Sequence, residues 1–169
     1  MIHTGNLTLV PLTLQQLETG LASIKQLSAE MGLPLVSDLI TENAERAVRI
    51  KIKIMRAAPE ALHAWFTYWL IVIDSEKIGA GLIGFKGSPD ETGTVEIGYG
   101  INPIFQGRGY MTEAVKAMVK WAFSHPECKR ITAIGVLQDN FASRKVLVKN
   151  QFRELESETG SVDYELDRI

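Results

Sequence analysis

The sequence predicts an α/β (α+β) fold, with a mixed, mostly antiparallel central sheet that holds a parallel central strand pair and is flanked by helices. Three observations lead there. Apolar runs rich in β-branched and aromatic residues recur between short polar turns from Trp65 to Ile101, as the strands of an antiparallel meander do. A glycine-rich turn, "QGRG", then switches the pattern to helical spacing at Tyr110. A further run, "RITAIGV", follows that helix, and a right-handed crossover lays it parallel to "TVEIGYGI" if the two share a sheet.

Each element follows from its local pattern. "NLTLVPL" alternates Leu7, Leu9 and Pro11 as a short strand does, and Thr13 with Gln16 forms the T-x-x-Q capping box that opens a helix. Leu14, Leu17, Leu21, Ile24, Leu27 and Met31 recur at spacings of three and four, so one helix is expected until "GLP" stops it. A second helix is expected from about Glu42 to Met55, although "RIKIKIM" alternates with period two and admits a strand. "WFTYWLIVI", "KIGAGLIGF" after the "DSEK" turn and "TVEIGYGI" after the "GSPDETG" loop read as consecutive strands. Beyond "QGRG", Met111, Val115, Met118, Val119 and Ala122 share one helical face, opposite Glu113, Lys116 and Lys120, and "HP" closes the helix. "RITAIGV" reads as a strand, "NFASRKVLVK" as a short helix, and "FRELE" with "VDYELD" as a closing strand pair.

Composition narrows the function classes. With 169 residues, 46% hydrophobic and 22% charged, the chain has the balance of one globular domain, and no repeat, linker or low-complexity segment divides it. A net charge of -2 offers no basic footprint for nucleic acid. Cys128 has no second cysteine for a disulfide or a metal cluster, and His3, His63 and His125 lack ligand spacing, so no metal is expected. The opening residues carry no basic stretch before a long apolar run, and nowhere does the chain reach the roughly 18 apolar residues of a membrane span. A cytoplasmic protein without a membrane partner is the expectation.

The turn suggests a ligand. Backbone amides at the start of a helix have no intrahelical acceptor and sit at the positive end of its dipole, so they bind phosphate when glycines let the backbone approach. Gly107 and Gly109 supply such a turn, and Arg108 adds a formal charge that can face the same anion. Two other phosphate loops fail on pattern. The G-x-x-x-x-G-K-[ST] loop is absent, and a G-x-G-x-x-G fingerprint would need glycine at Thr112.

"VEIGYGINPIFQGRGYMTEA" followed by "ITAIGVLQDNFASRKVLVKNQF" resembles the GNAT superfamily of acyl-CoA N-acyltransferases, especially its ribosomal-protein N-acetyltransferase-like branch. The resemblance runs roughly from Val95 to Phe152, and "LTLVPLTLQQLE" is similar to that branch's opening strand and helix. It implies a single N-acetyltransferase domain over residues 1–169, acetyl-CoA as co-substrate and an amine acceptor. The family's Q/R-x-x-G-x-G/A turn falls on Gln106, Gly109 and Met111, and its amides, here from Gly107 through Arg108 and Tyr110 to Met111, hold the pyrophosphate of coenzyme A. Met111 departs from the family's small final residue. The family's downstream asparagine, which contacts the pantetheine arm, falls on Asn140, with Ser143 on the same helical face. The tyrosine many relatives place later on this helix is absent from "RKVLVK", and "NQF" replaces the common x-G-F.

The implied chemistry needs a proton acceptor, because a protonated amine cannot attack a thioester and an alkylamine titrates near 10. Glu96 is the candidate base. It lies between Val95 and Ile97, where partial burial would favour a useful pKa; the competing reading is an outward strand residue or a structural acceptor. Backbone amides from Gly98 to Ile101 can polarise the thioester carbonyl if the strand bulges or splays, and glycines at 98 and 100 permit that bend. The same edge would pair with the pantetheine amides. Ser143, Tyr99 or water can protonate the departing thiolate, and the sequence leaves these open.

Other residues read structurally. "HAWFTYW" is expected in the core and on the sheet surface, and Cys128 lacks an identifiable base. Arg46, Arg49, Lys51, Lys53 and Arg56 read as a solvated face, or as a surface for an acidic partner. The leading function is acetyl transfer from acetyl-CoA to a primary amine, for which the resemblance favours a peptide or protein N-terminus. A small-molecule acetyltransferase acting on antibiotics or polyamines, and a non-catalytic acyl-CoA-binding domain, are the alternatives. A homodimer is compatible with each.

Overall fold

In chain order the elements are β1 (Ile2–His3), β2 (Leu7–Pro11), α1 (Leu14–Ala22), α2 (Ile24–Met31), α3 (Glu42–Ala57), α4 (His63–Phe66), β3 (Tyr68–Ile73), β4 (Ile78–Phe85), β5 (Thr94–Ile101), α5 (Tyr110–Phe123), β6 (Arg130–Leu137), α6 (Phe141–Lys149), β7 (Arg153–Leu155) and β8 (Ser161–Asp167). The computed structural model describes residues 1–155 and 160–169; Glu156, the last residue of the expected "FRELE" strand, lies outside them. Among the described residues the strands form one eight-stranded sheet in the order β1-β2-β3-β4-β5-β6-β8-β7. Every neighbouring pair is antiparallel except β5 with β6.

Alternation along the strands builds two cores, one on each face. Leu9, Ile71, Ile83, Val95, Ile97, Ile131 and Tyr164 face α5 and α6, where Val115, Met118 and Leu147 cover them. Leu70, Val72 and Leu82 point the other way, onto Leu17, Leu27, Val48, Ile52 and Met55 of α1, α2 and α3. No helix among the described residues is long and apolar enough to cross a membrane.

The expected helix from Leu14 to Met31 is two helices. Ser23 takes an extended conformation (φ -163°, ψ 113°), ends α1, and caps α2 by accepting the Gln26 amide at 3.2 Å. The apolar spacing carries across the break because Gly20 makes room for Leu27, whose Cδ2 would lie 2.9 Å from a Cβ there. The capping box of Thr13 and Gln16 is present, and Gly32 ends α2 in the left-handed region at φ 59°.

Two further segments differ from expectation. The strand beginning at Trp65 starts instead at Tyr68, since His63–Phe66 forms a helical turn. That turn sets Trp65 against Trp121 at 4.5 Å between ring centroids, and the Trp69 indole donates to the Ala64 carbonyl at 3.0 Å. The core reading of these aromatics holds. "RIKIKIM" is helical within α3, capped by Thr41, but Lys51 is not on a solvated face. It is 6% exposed, lies over the Tyr68 ring and donates to the carbonyls of Phe66 (3.1 Å), Thr67 (3.5 Å) and Phe85 (2.5 Å).

Lys51 gives the fold a pH dependence. Burial, and then the nearby Lys86 charge, lower its pKa from 10.5 to about 7. Between those values the unfolded chain keeps a proton that the folded chain has lost, so this residue's contribution to stability grows as pH rises and is lost as pH falls through about 7. Relative to Lys51→Met, the parent protein is expected to gain roughly 1 kcal/mol per pH unit across the middle of that interval. Urea unfolding of both proteins in pH steps checks this. Parallel stability curves would mean that the three carbonyls keep the ammonium charged.

Candidate active site

The site opens where the parallel strands part. β5 and β6 are in register at Thr94–Arg130, Val95–Ile131 and Glu96–Thr132, and no further. β5 stays paired with β4 to Ile101 without a register break. β6 turns aside at a bulge between Ala133 and Val136, where Gly135 takes φ 69° and its amide donates to the Asp163 carboxylate at 2.7 Å. The splay is therefore produced by β6, and β5 carries no bulge. Among the described residues the backbone of β5 from Ile97 to Ile101 has no ladder partner on that side.

A cleft of about 310 Å³ lies on the α5/α6 side of this edge, lined by Tyr99, Gly100, Ile101, the turn from Gln106, and α6. Gly107 (φ 76°) and Gly109 (φ 86°) are both left-handed, and a Cβ on either would meet nothing within 4 Å, so the turn's backbone is open to an approaching group. The first bond of α5 runs from the Glu113 amide to the Gly109 carbonyl at 3.0 Å. The amides of Tyr110, Met111 and Thr112 thus lack helical acceptors and sit at the positive end of the helix. Gln106 braces the turn by donating to the Ile101 carbonyl at 3.3 Å. Met111 both lines the cleft and packs against the core, which accommodates its length.

Asn140 and Ser143 begin α6 on the opposite wall. The Asn140 side chain caps the helix by accepting the Ser143 amide at 3.1 Å. The Ser143 hydroxyl lies 2.9 Å from the Tyr99 hydroxyl, so the two candidate proton donors form one pair. Burial pushes the Tyr99 phenol up to about 12, against the opposing effect of the Ser143 hydrogen bond. Tyr99 therefore keeps its proton near neutral pH.

Glu96 lies on the other face of β5, with Gly98 and Gly100. Its side chain is 23% exposed and pairs with the Lys86 ammonium. A Cβ on Gly98 or Gly100 would again meet nothing within 4 Å, so a lane free of side chains runs along β5 beside this carboxylate. Gly98 belongs to that lane and does not line the cleft.

Arg108 does not turn to the cleft. Its guanidinium pairs with Glu76 at 3.0 Å and lies 5.5 Å from the centre of the Phe105 ring, because the β3–β4 turn places a carboxylate within reach. The cations that do line the cleft are Lys145 and Lys149, neither ion-paired among the described residues. Sequence reasoning passed over both. Their separation of four residues puts them on one face of α6, and that face could have been read from the helix already placed there. No group of three or more His, Cys, Asp or Glu is placed to hold a metal among the described residues.

Residues 6–153 match the acetyltransferase (GNAT) domain. The chain belongs to the GNAT family. Over 87 residues, 52% of this chain and 51% of the relative, it is 39% identical to the uncharacterized N-acetyltransferase YjdG of Bacillus subtilis. The chain spans between 33% and 51% of the length of the curated N-acetyltransferase relatives it matches. The fold is similar to that of RimL, the ribosomal L7/L12 alpha-N-protein acetyltransferase, in complex with coenzyme A (TM-score 0.65, 19% identity, covering 97% of this chain and 95% of that one). It is also similar to the microcin C7 self-immunity acetyltransferase MccE in complex with acetyl-CoA and AMP (TM-score 0.63, 17% identity, covering 98% and 94%).

Proposed function

We propose that this GNAT protein is a single-domain enzyme that transfers an acetyl group from acetyl-CoA to a primary amine, with the α-amine of a peptide or protein N-terminus as acceptor. One observation carries the reading: the splayed edge of β5 has a cleft headed by an open glycine turn on one face and a carboxylate beside a lane free of side chains on the other. The cleft residues fit coenzyme A. Open amides at Gly107 to Met111 suit a pyrophosphate, Lys145 and Lys149 add positive charge, and the unpaired β5 edge suits the pantetheine amides.

When bound, acetyl-CoA supplies an activated acyl thioester. Amides at the end of β5 orient and polarise its carbonyl. Glu96 takes the proton from the amine, directly or through one water, as that nitrogen bonds the acetyl carbon. The Tyr99–Ser143 pair donates a hydrogen bond toward the sulfur as the carbon–sulfur bond breaks. An acceptor that arrives as the ammonium gives up two protons in all: one passes through Glu96 to solvent, and the other balances the proton that the departing thiolate takes up through the Tyr99–Ser143 pair, which water replenishes. A peptide α-amine titrates near 8 and a lysine side chain near 10, so the α-amine asks less of the base. The similarity of fold to RimL, a ribosomal L7/L12 alpha-N-protein acetyltransferase, supports the same acceptor class.

Free-thiol release should be measured with peptide N-termini, polyamines and aminoglycosides in parallel, with mass mapping of the products. Label at peptide α-amines is expected. Label confined to lysine side chains, or turnover with aminoglycosides alone, would reject this acceptor assignment.

A further inference from the structure

We propose that Lys86 is a positioning residue for Glu96, a role that rests on reading Glu96 as the proton acceptor. Lys86 directly follows β4 and faces Glu96 across the strand pair, where its amide donates to the Glu96 carbonyl at 2.9 Å and its ammonium meets the Glu96 carboxylate. Backbone and side chain thus grip the same residue from one side.

Nothing else among the described residues holds that carboxylate. Along β5 its neighbour on this face is Gly98, with no side chain to lean on. Its partner in β6 is Thr132, and that hydroxyl donates instead to the Val95 carbonyl at 3.5 Å. Without Lys86 no ion pair or hydrogen bond among the described residues would fix the carboxylate itself.

Lys86 is itself held in place. Lys51 donates to the carbonyl of Phe85, the residue just before it, at 2.5 Å, which fixes where the chain leaves β4. Stability does not account for the pair. The Lys86 side chain is 65% exposed, and exposed ion pairs contribute little to folding. Its consequence is orientation: a carboxylate held across toward β4 beside the glycine lane, where the acceptor amine would arrive.

The test measures steady-state kinetics of Lys86→Met and Lys86→Arg, each alone and combined with Glu96→Gln, using acetyl-CoA and the acceptor found by thiol release. Lys86→Met should lower kcat roughly ten- to a hundredfold, the scale of a misplaced catalytic group, with the KM for acetyl-CoA nearly unchanged. Lys86→Arg should restore most of the rate. In the Glu96→Gln background, Lys86→Met should add little, because its effect acts through the missing carboxylate. Full kcat in Lys86→Met, or an equal loss with and without Glu96, overturns the positioning role. Full kcat in Glu96→Gln alone overturns the base assignment beneath it, so the two failures are distinguishable.

Discussion

Glu96→Gln is expected to lower turnover by roughly 10² to 10⁴, the usual worth of a general base, while leaving acetyl-CoA affinity nearly intact. Affinity survives because neither Glu96 nor Gly98, its neighbour on the same face of β5, lines the cleft. The loss should be greatest near neutral pH. As pH rises toward the pKa of the acceptor amine, more of it arrives deprotonated, and the variant recovers part of its rate relative to the parent. A structural role predicts reduced stability with a constant activity ratio at every pH. Single-turnover rates from about pH 6 to 9.5, a span chosen to cover the titration of an α-amine, separate the two. A flat ratio with acetyl-CoA still bound removes Glu96 from the chemistry and leaves ordered water beside the strand as the proton acceptor.

Gly109→Val should weaken acetyl-CoA binding by roughly ten- to a hundredfold. Gly109 caps α5 at φ 86°, a conformation that costs a side-chain-bearing residue about 1–2 kcal/mol, more for a branched one. A Cβ there meets nothing within 4 Å, so the substitution does not press on the core at that atom. Strain is instead relieved by shifting the turn, and with it the amides of Tyr110 and Met111. Branching also narrows the space above the backbone that a phosphate would enter. Circular dichroism should show a folded protein, and calorimetry the loss of affinity. Equal affinity in the variant would move the phosphate site away from this turn.

The strand–turn–helix centre was legible because its signals are local and sharp. A period of two gives way to helical spacing across Gly107 and Gly109, and those glycines have the left-handed geometry that tight turns require. The break at Ser23 was less visible, since α1 and α2 pack on the same core and preserve the apolar spacing through it. Tyr99 and Ser143 were both named, but as rivals. They lie 44 positions apart, and only the packing of β5 against α6 joins them into one hydrogen-bonded pair. Lys51 was misread because a basic run implies solvent, whereas three carbonyls at one end of the sheet satisfy its ammonium inside. Arg108 carried the right charge, but the distant Glu76 decides where it points.

Calorimetric titration with acetyl-CoA, dephospho-CoA and pantetheine tests the central claim most directly. Saturable binding of acetyl-CoA is expected, with dephospho-CoA keeping most of the affinity because the Gly107 to Met111 amides hold the pyrophosphate, and pantetheine losing it. Binding only to the folded state should also raise the unfolding temperature in proportion. Absence of heat and of thermal stabilisation with every form of coenzyme A would contradict the acyltransferase assignment.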